Sequence, residues 1–187
     1  MSVFAQNLAE HLELFQRLDA IGNDVARAGD ALVDALRAGG KVMFCGNGGS
    51  AADSQHIAAE LTGRFIDDRR PLAGLALSTD SSALTCISND YGYEHVFVRQ
   101  VQALGKAGDC LVGISTSGNS ANIVKAFDFA RAAGIVTIGL LGRDGGALVG
   151  LSDIAIVVPS HVTARIQEAH IMIGHTLCGI VEDALID

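Results

Sequence analysis

Three groups of residues in this chain have the types and the spacing to do chemistry. His56 and Glu60 stand four apart in a segment of helical pattern, so imidazole and carboxylate share one helix face. Gln167, His170 and His175 are polar positions set among Ile166, Ile171, Ile173 and Leu177. A helix this apolar is expected to be buried, and buried histidines need partners. Two such clusters on separate helices could meet at a metal or at an acid–base site. The spacing alone equally fits a surface ion pair at His56–Glu60 and a structurally satisfied histidine in the core. Seven residues make about two helical turns, so Glu168 lines up with His175 better than Gln167 does.

The third group is the run Ser115-Thr116-Ser117-Gly118-Asn119-Ser120, which follows an apolar stretch and opens a helical one. Four hydroxyls surround a glycine where free N–H groups and the positive end of the helix dipole favour an anion. An N-cap needs only one such residue, so capping does not account for the run, and phosphate binding does. A second loop, Gly46-Asn47-Gly48-Gly49-Ser50, allows close backbone approach to a ligand. With Ala51 it matches the dinucleotide pattern GxGxxA, but the acidic residue that pattern requires is Asp80, too far along. No lysine follows either glycine loop in the manner of a nucleoside triphosphatase, so no nucleotide cofactor is expected.

The elements that must position these groups alternate. Short apolar runs at Val42–Cys45, Leu72–Leu77, Cys110–Ile114, Ile135–Leu140 and Ile154–Val158 lack polar alternation and are expected to be strands buried on both faces. Helical patterns lie between them, at about Ser50–Thr62, Ser81–Ser88, Glu94–Leu104 and Asn119–Ala133, with a short turn near Ala147. A long helix is expected from about Ala164 to Leu185, and another from Ser2 to about Ala38, broken or kinked at Gly22 and Asn23 and stopped by Gly39 and Gly40. The order predicts an α/β fold with a parallel sheet and helices on both faces. Ligands in such sheets bind where strands end and helices begin.

With 187 residues the chain suits one domain and can bury a core without staples. A net charge of −8 argues against nucleic acid as a bulk partner, while a small phosphorylated ligand needs only local donors. The apolar runs are too short to span a bilayer, and no secretory signal is visible, so neither a membrane nor export is expected. Four cysteines, none in a CxxC pair, fit no zinc ribbon and point to a reducing cytoplasm, with Cys45 and Cys110 as core thiols.

Five stretches, taken in order over nearly the whole chain, resemble the sugar-isomerase (SIS) fold and, within it, the phosphoheptose isomerase family. They are Gly46–Ser50, Glu60-Leu61-Thr62-Gly63-Arg64-Phe65, Ser88-Asn89-Asp90, Gly113–Ser120 and Arg165-Ile166-Gln167-Glu168-Ala169-His170. The resemblance implies a three-layer, doubly wound, five-stranded parallel sheet with long N- and C-terminal helices. It implies a single SIS domain over 1–187, with a helical segment at 1–38 and the α/β core and last helix at 39–187. The implied reaction converts D-sedoheptulose 7-phosphate into D-glycero-D-manno-heptose 7-phosphate through an enediol, toward the heptose of bacterial lipopolysaccharide. The family's substrate contacts would fall on Asn47, Gly48, Gly49, Glu60, Asn89, Asp90, Ser115, Thr116, Ser117, Ser120 and Gln167. Its zinc ligands would fall on His56, Glu60, Gln167 and His175, one Zn2+ per subunit of a homotetramer with interfacial sites. Glu60 is then assigned as the base and His175 as its acid–base partner. A zinc there would act as a Lewis acid, and Glu60 could not freely be both a tight ligand and a base.

Two other classes share the fold. Non-enzymatic regulators that bind the replication initiator DnaA have stretches like Leu77-Ser78-Thr79-Asp80 and Arg165–Glu168, but lack the carboxylate and histidine found here at Glu60 and His175. Sugar-phosphate sensors of this fold are usually fused to a DNA-binding module, for which these 187 residues leave no segment.

Overall fold

A computed structural model describes residues 2–186. Five strands form one wholly parallel sheet: β1 (Val42–Gly46), β2 (Gly74–Ala76), β3 (Cys110–Ser115), β4 (Val136–Gly142) and β5 (Ile154–Val158), in the order β2-β1-β3-β4-β5. Chain order reverses between β1 and β3, which makes their carboxyl ends the topological switch point. The helices are α1 (Val3–Phe15), α2 (Gly22–Arg37), α3 (Gly49–Thr62), α4 (Ser81–Tyr91), α5 (Val96–Leu104), α6 (Ala121–Ala132) and α7 (Thr163–Leu185).

Side chains alternate across the sheet and feed two cores. Val42, Phe44, Val112, Ile138 and Ile156 pack beneath residues of α2, α3 and α7, while Met43, Cys45, Leu111 and Leu141 pack with residues of α5 and α6. This is the three-layer, doubly wound arrangement that the family resemblance implies, with helices on both faces of a parallel sheet as the alternation of runs predicts. The central strands β1 and β3 are buried along their whole length, which explains their unbroken apolar runs. Edge strand β5 alternates between buried and half-buried positions.

Two boundaries differ from expectation. The second strand begins at Gly74 rather than Leu72, because the Leu72 N–H turns back to the Leu61 carbonyl at the end of α3 (3.0 Å) and joins no ladder. In the N-terminal segment the break comes before Gly22, not at it. A 3-10 turn at Leu18–Ile21 lies against β5 and buries Leu18, and Gly22 opens α2. Helix α1 leaves Phe4, Leu8 and Leu12 exposed, while Phe15 at its end packs against the core. No helix among the described residues is long and apolar enough to cross a membrane.

Candidate active site

The Asn47 and Ser115 loops leave the carboxyl ends of adjacent strands β1 and β3 and enter helices on opposite faces of the sheet. The Asn47 amide donates to Asn122 Oδ1 (3.0 Å), the Asn122 amide donates back to Asn47 Oδ1 (2.8 Å), and the Tyr93 hydroxyl adds a bond to Asn47 Oδ1 (3.0 Å). Asn122 is buried. The Asn47 side chain is thereby spent on bridging the loops, which leaves the backbone of the Gly48–Gly49 turn exposed.

In the second loop, Ser115 Oγ lies 2.9 Å from Ser120 Oγ and accepts the Gly118 N–H (3.1 Å). Ser120 occupies the N-cap position of α6, yet its hydroxyl makes no capping bond. The hydroxyls are therefore organised around one another, and Thr116 and Ser117 are half-buried beside them. Gly118 has φ +66°, and a Cβ on it would lie 1.8 Å from the Gly145 carbonyl oxygen, so only glycine closes this turn.

Helix α3 carries His56 and Glu60, and α7 lies beside it carrying His175. His56 Nε2 is 3.1 Å from Glu60 Oε1 and 3.0 Å from His175 Nε2. One donor atom from each of the three residues lies within 4.8 Å of the others. The Phe65 ring stacks on His175, with centroids 5.6 Å apart and planes 24° from parallel. A cleft of about 740 Å³ opens beside this group, bounded by Phe65 and His175 and by His11, Phe15, Ile171 and Met172.

Gln167 lies two turns earlier on α7, against the start of α3. A Cβ on Gly49 would come 2.7 Å from its Nε2, so the absence of a side chain at 49 is what admits this amide. In this structure Gln167 therefore sits at the first loop, about 12 Å along α7 from His175. Asn89 and Asp90, on the last turn of α4, are exposed and bonded to each other (2.7 Å). The link from their segment to the first loop is Tyr93. Glu168, in helical register with His175, turns instead to His11 Nδ1 (2.9 Å) and Arg165 (2.6 Å), fastening α1 to α7. His170 is buried, its Nε2 lies 3.0 Å from the Leu141 carbonyl, and burial pushes its pKa down to about 4, so it stands apart as a neutral core histidine.

Sequence reasoning missed Asn122, Tyr93 and the role of Phe65. Asn122 reads as an ordinary first-turn helix residue, and only the crossing of the two loops gives it a partner. Phe65 stands in a stretch already singled out, next to Arg64, but nothing in the spacing aims it at His175.

The SIS domain family matches residues 4–142. A phosphoheptose isomerase of Rhodospirillum rubrum is 54% identical over 182 residues, 97% of this chain and 95% of the relative. One of Aliarcobacter butzleri is 51% identical over 184 residues, 98% of this chain and 97% of the relative. Among solved structures, a phosphoheptose isomerase of Neisseria gonorrhoeae superposes with a TM-score of 0.91 at 46% identity, covering 96% of this chain and 97% of that one.

Proposed function

Because the chain belongs to the SIS domain family, in its phosphoheptose isomerase branch, we propose that the His56–Glu60–His175 cluster where α3 packs on α7 is where it interconverts the ketose and aldose forms of a heptose 7-phosphate. The enzyme reading, and not the initiator-binding or sensor reading, accords with these relatives. The substrate pair is D-sedoheptulose 7-phosphate and D-glycero-D-manno-heptose 7-phosphate.

One observation carries the assignment of the site. Two imidazoles and a carboxylate converge from α3 and α7, with contacts of 3.0 and 3.1 Å, and α3 begins at the Gly48–Gly49 turn. From Gly49 to His56 is seven residues, about 10 Å along the helix, a span suited to a substrate with a phosphate at one end and a carbonyl at the other. The hydroxyls of Ser115, Thr116, Ser117 and Ser120, the N–H groups at the start of α6 and the Gly48–Gly49 backbone hold the phosphate. With the far end fixed, C1 and C2 are oriented at Glu60 and His175. Glu60 takes the proton from C1 of the ketose to give the enediol and returns it at C2. His175 moves the hydroxyl proton between O1 and O2. Each such group contributes typically about 10²–10⁴-fold. Asn89, Asp90 and Gln167 are assigned to the sugar hydroxyls.

The same three donors fit a zinc ion. Two imidazole nitrogens 3.0 Å apart need either a shared proton or a cation, and two His and one Glu leave a fourth position open. His56, Glu60 and His175 would hold it, and Gln167, the further ligand the resemblance implies, stands apart from them at Gly49. A bound zinc would supply Lewis acidity at the carbonyl. The exposed Phe4, Leu8 and Leu12 on α1 and the open cleft along α7 support a subunit interface, and the family reading makes the assembly a cytoplasmic homotetramer with interfacial sites.

Isomerisation of sedoheptulose 7-phosphate by wild type, Glu60→Gln and His175→Ala tests this reading. Both variants are expected to lose at least 10²-fold in kcat. An inactive but folded wild type overturns the substrate, and equal activity in all three removes the site assignment.

A further inference from the structure

Helix α7 has a second polar residue facing the end of α3, and it is a buried carboxylate. Glu182 lies two turns beyond His175, with its side chain 3% exposed. It accepts the backbone N–H groups of Phe65 (3.1 Å), Ile66 (2.8 Å) and Asp67 (2.9 Å) and the Arg69 Nε–H (3.1 Å). Burial alone would push this carboxyl up, but those three N–H groups and the Arg69 charge outweigh it and hold it below the usual carboxylate range. Arg69, 1% exposed, uses its remaining donors on the last turn of α3: Nη2 on the Glu60 carbonyl (2.7 Å) and Nη1 on the Leu61 carbonyl (3.0 Å).

The bonds form one chain of contacts through the proposed site. Arg69 holds the carbonyl of Glu60 itself. Glu182 holds Arg69 and the backbone of Phe65, and the Phe65 ring stacks on His175. Helix ends leave carbonyls without helical partners, and a planar guanidinium can satisfy two of them while keeping a fixed orientation. A lysine would supply the charge without the fork.

The geometry points to Arg69 and Glu182 as a positioning pair for isomerisation, which locks the end of α3 to α7 and so sets the spacing between Glu60 and His175. The inference rests on the reading of the site given above. Both side chains are buried, and their action passes through the backbone of Glu60 and the ring of Phe65.

The experiment compares Arg69→Lys, Glu182→Gln and Phe65→Leu with Asp109→Asn in steady-state kinetics on sedoheptulose 7-phosphate and in thermal unfolding. Asp109 is a similarly buried carboxylate whose side chain bonds only to Lys41 and Lys106. Arg69→Lys and Glu182→Gln are expected to lower kcat by at least about tenfold with KM within about threefold. Asp109→Asn is expected to lower the melting temperature and leave kcat unchanged. Should the buried-pair variants fail to fold, Phe65→Leu keeps the ion pair, removes the ring from His175, and is expected to give the same loss in kcat. Unchanged kcat in the folded variants, or a loss no larger than that of Asp109→Asn at equal destabilisation, overturns the inference. Glu60→Gln and His175→Ala in the same assay separate the two readings. If they remain active, the site reading falls. If they are inactive while the positioning variants keep full kcat, only the present inference falls.

Discussion

The side-chain amides of Asn47 and Asn122 are hydrogen-bonded to each other in both directions, at 3.0 and 2.8 Å, across the crevice between β1 and β3. One amide leaves a loop that enters α3 on one face of the sheet, and the other belongs to α6 on the opposite face. The pair ties together two loops that no ladder bond joins beyond the strand ends.

Asn122→Leu leaves Asn47 without its buried partner and lets the two loops separate. The expected result is a rise in KM of about tenfold with a smaller change in kcat, since the loss falls on substrate holding and not on the reacting carbons. Tyr93→Phe removes one bond from the same oxygen and is expected to cost only about 0.5–1.5 kcal/mol in apparent binding. Steady-state kinetics on both variants check this.

Gly118→Ala forces a Cβ to within 1.8 Å of the Gly145 carbonyl oxygen at a φ of +66°. The turn must open, which displaces Ser117 and Ser120 together. We expect destabilisation above about 2 kcal/mol and loss of measurable isomerase activity. Denaturant unfolding and the activity assay read the two effects separately.

His170 is neutral in the folded chain, with a pKa lowered to about 4 by burial against an ordinary value of 6.5. The unfolded chain takes up a proton at this residue as pH falls below about 6.5, whereas the folded chain does so only near 4. Stability is therefore fully present above 6.5 and declines as pH drops toward 4, by up to about 3 kcal/mol from this residue. Urea unfolding between pH 7 and 4 should show the slope, and His170→Asn should flatten it.

Protein purified without chelator is expected to contain about one zinc per chain, bound through His56, Glu60 and His175. Metal analysis of His56→Ala and His175→Ala should show a loss of at least about tenfold in zinc affinity. Stoichiometric zinc retained by both variants would remove these residues as ligands.

Replacing Leu8 and Leu12 together by aspartate tests whether the outward stripe of α1 is an intersubunit surface. Both positions are exposed in the single chain, at 45% and 52%, so the folded subunit should tolerate the charges. Light scattering should then report a smaller assembly than for wild type.

The reach of the sequence differed from element to element for physical reasons. Strands β1 and β3 were legible because burial on both faces demands an unbroken apolar run, and Met43 and Phe44 serve opposite cores one residue apart. The second strand was overdrawn because Leu72 is buried as a strand residue would be, yet its N–H bonds to the end of α3. The Ser115–Ser120 loop was legible as a strand-to-helix turn because hydroxyls and a glycine between an apolar run and a helical one mark such a turn locally. His175 could not be joined to His56 by spacing, since 119 positions separate them and only the packing of α3 on α7 brings their nitrogens to 3.0 Å. Glu168 shows the opposite failure. Its helical register with His175 is good, but Arg165 and His11 hold it toward α1.

On the reading proposed above, the seven-residue step from Gly49 to His56 acts as a ruler, with the Gly48–Gly49 backbone at the zero mark and the His56–Glu60 face about 10 Å along a rigid helix. A triose or tetrose phosphate anchored by its phosphate would then bring its carbonyl short of Glu60, and a longer chain would have to buckle to fit. Selection for sugar length would rest on the helix itself.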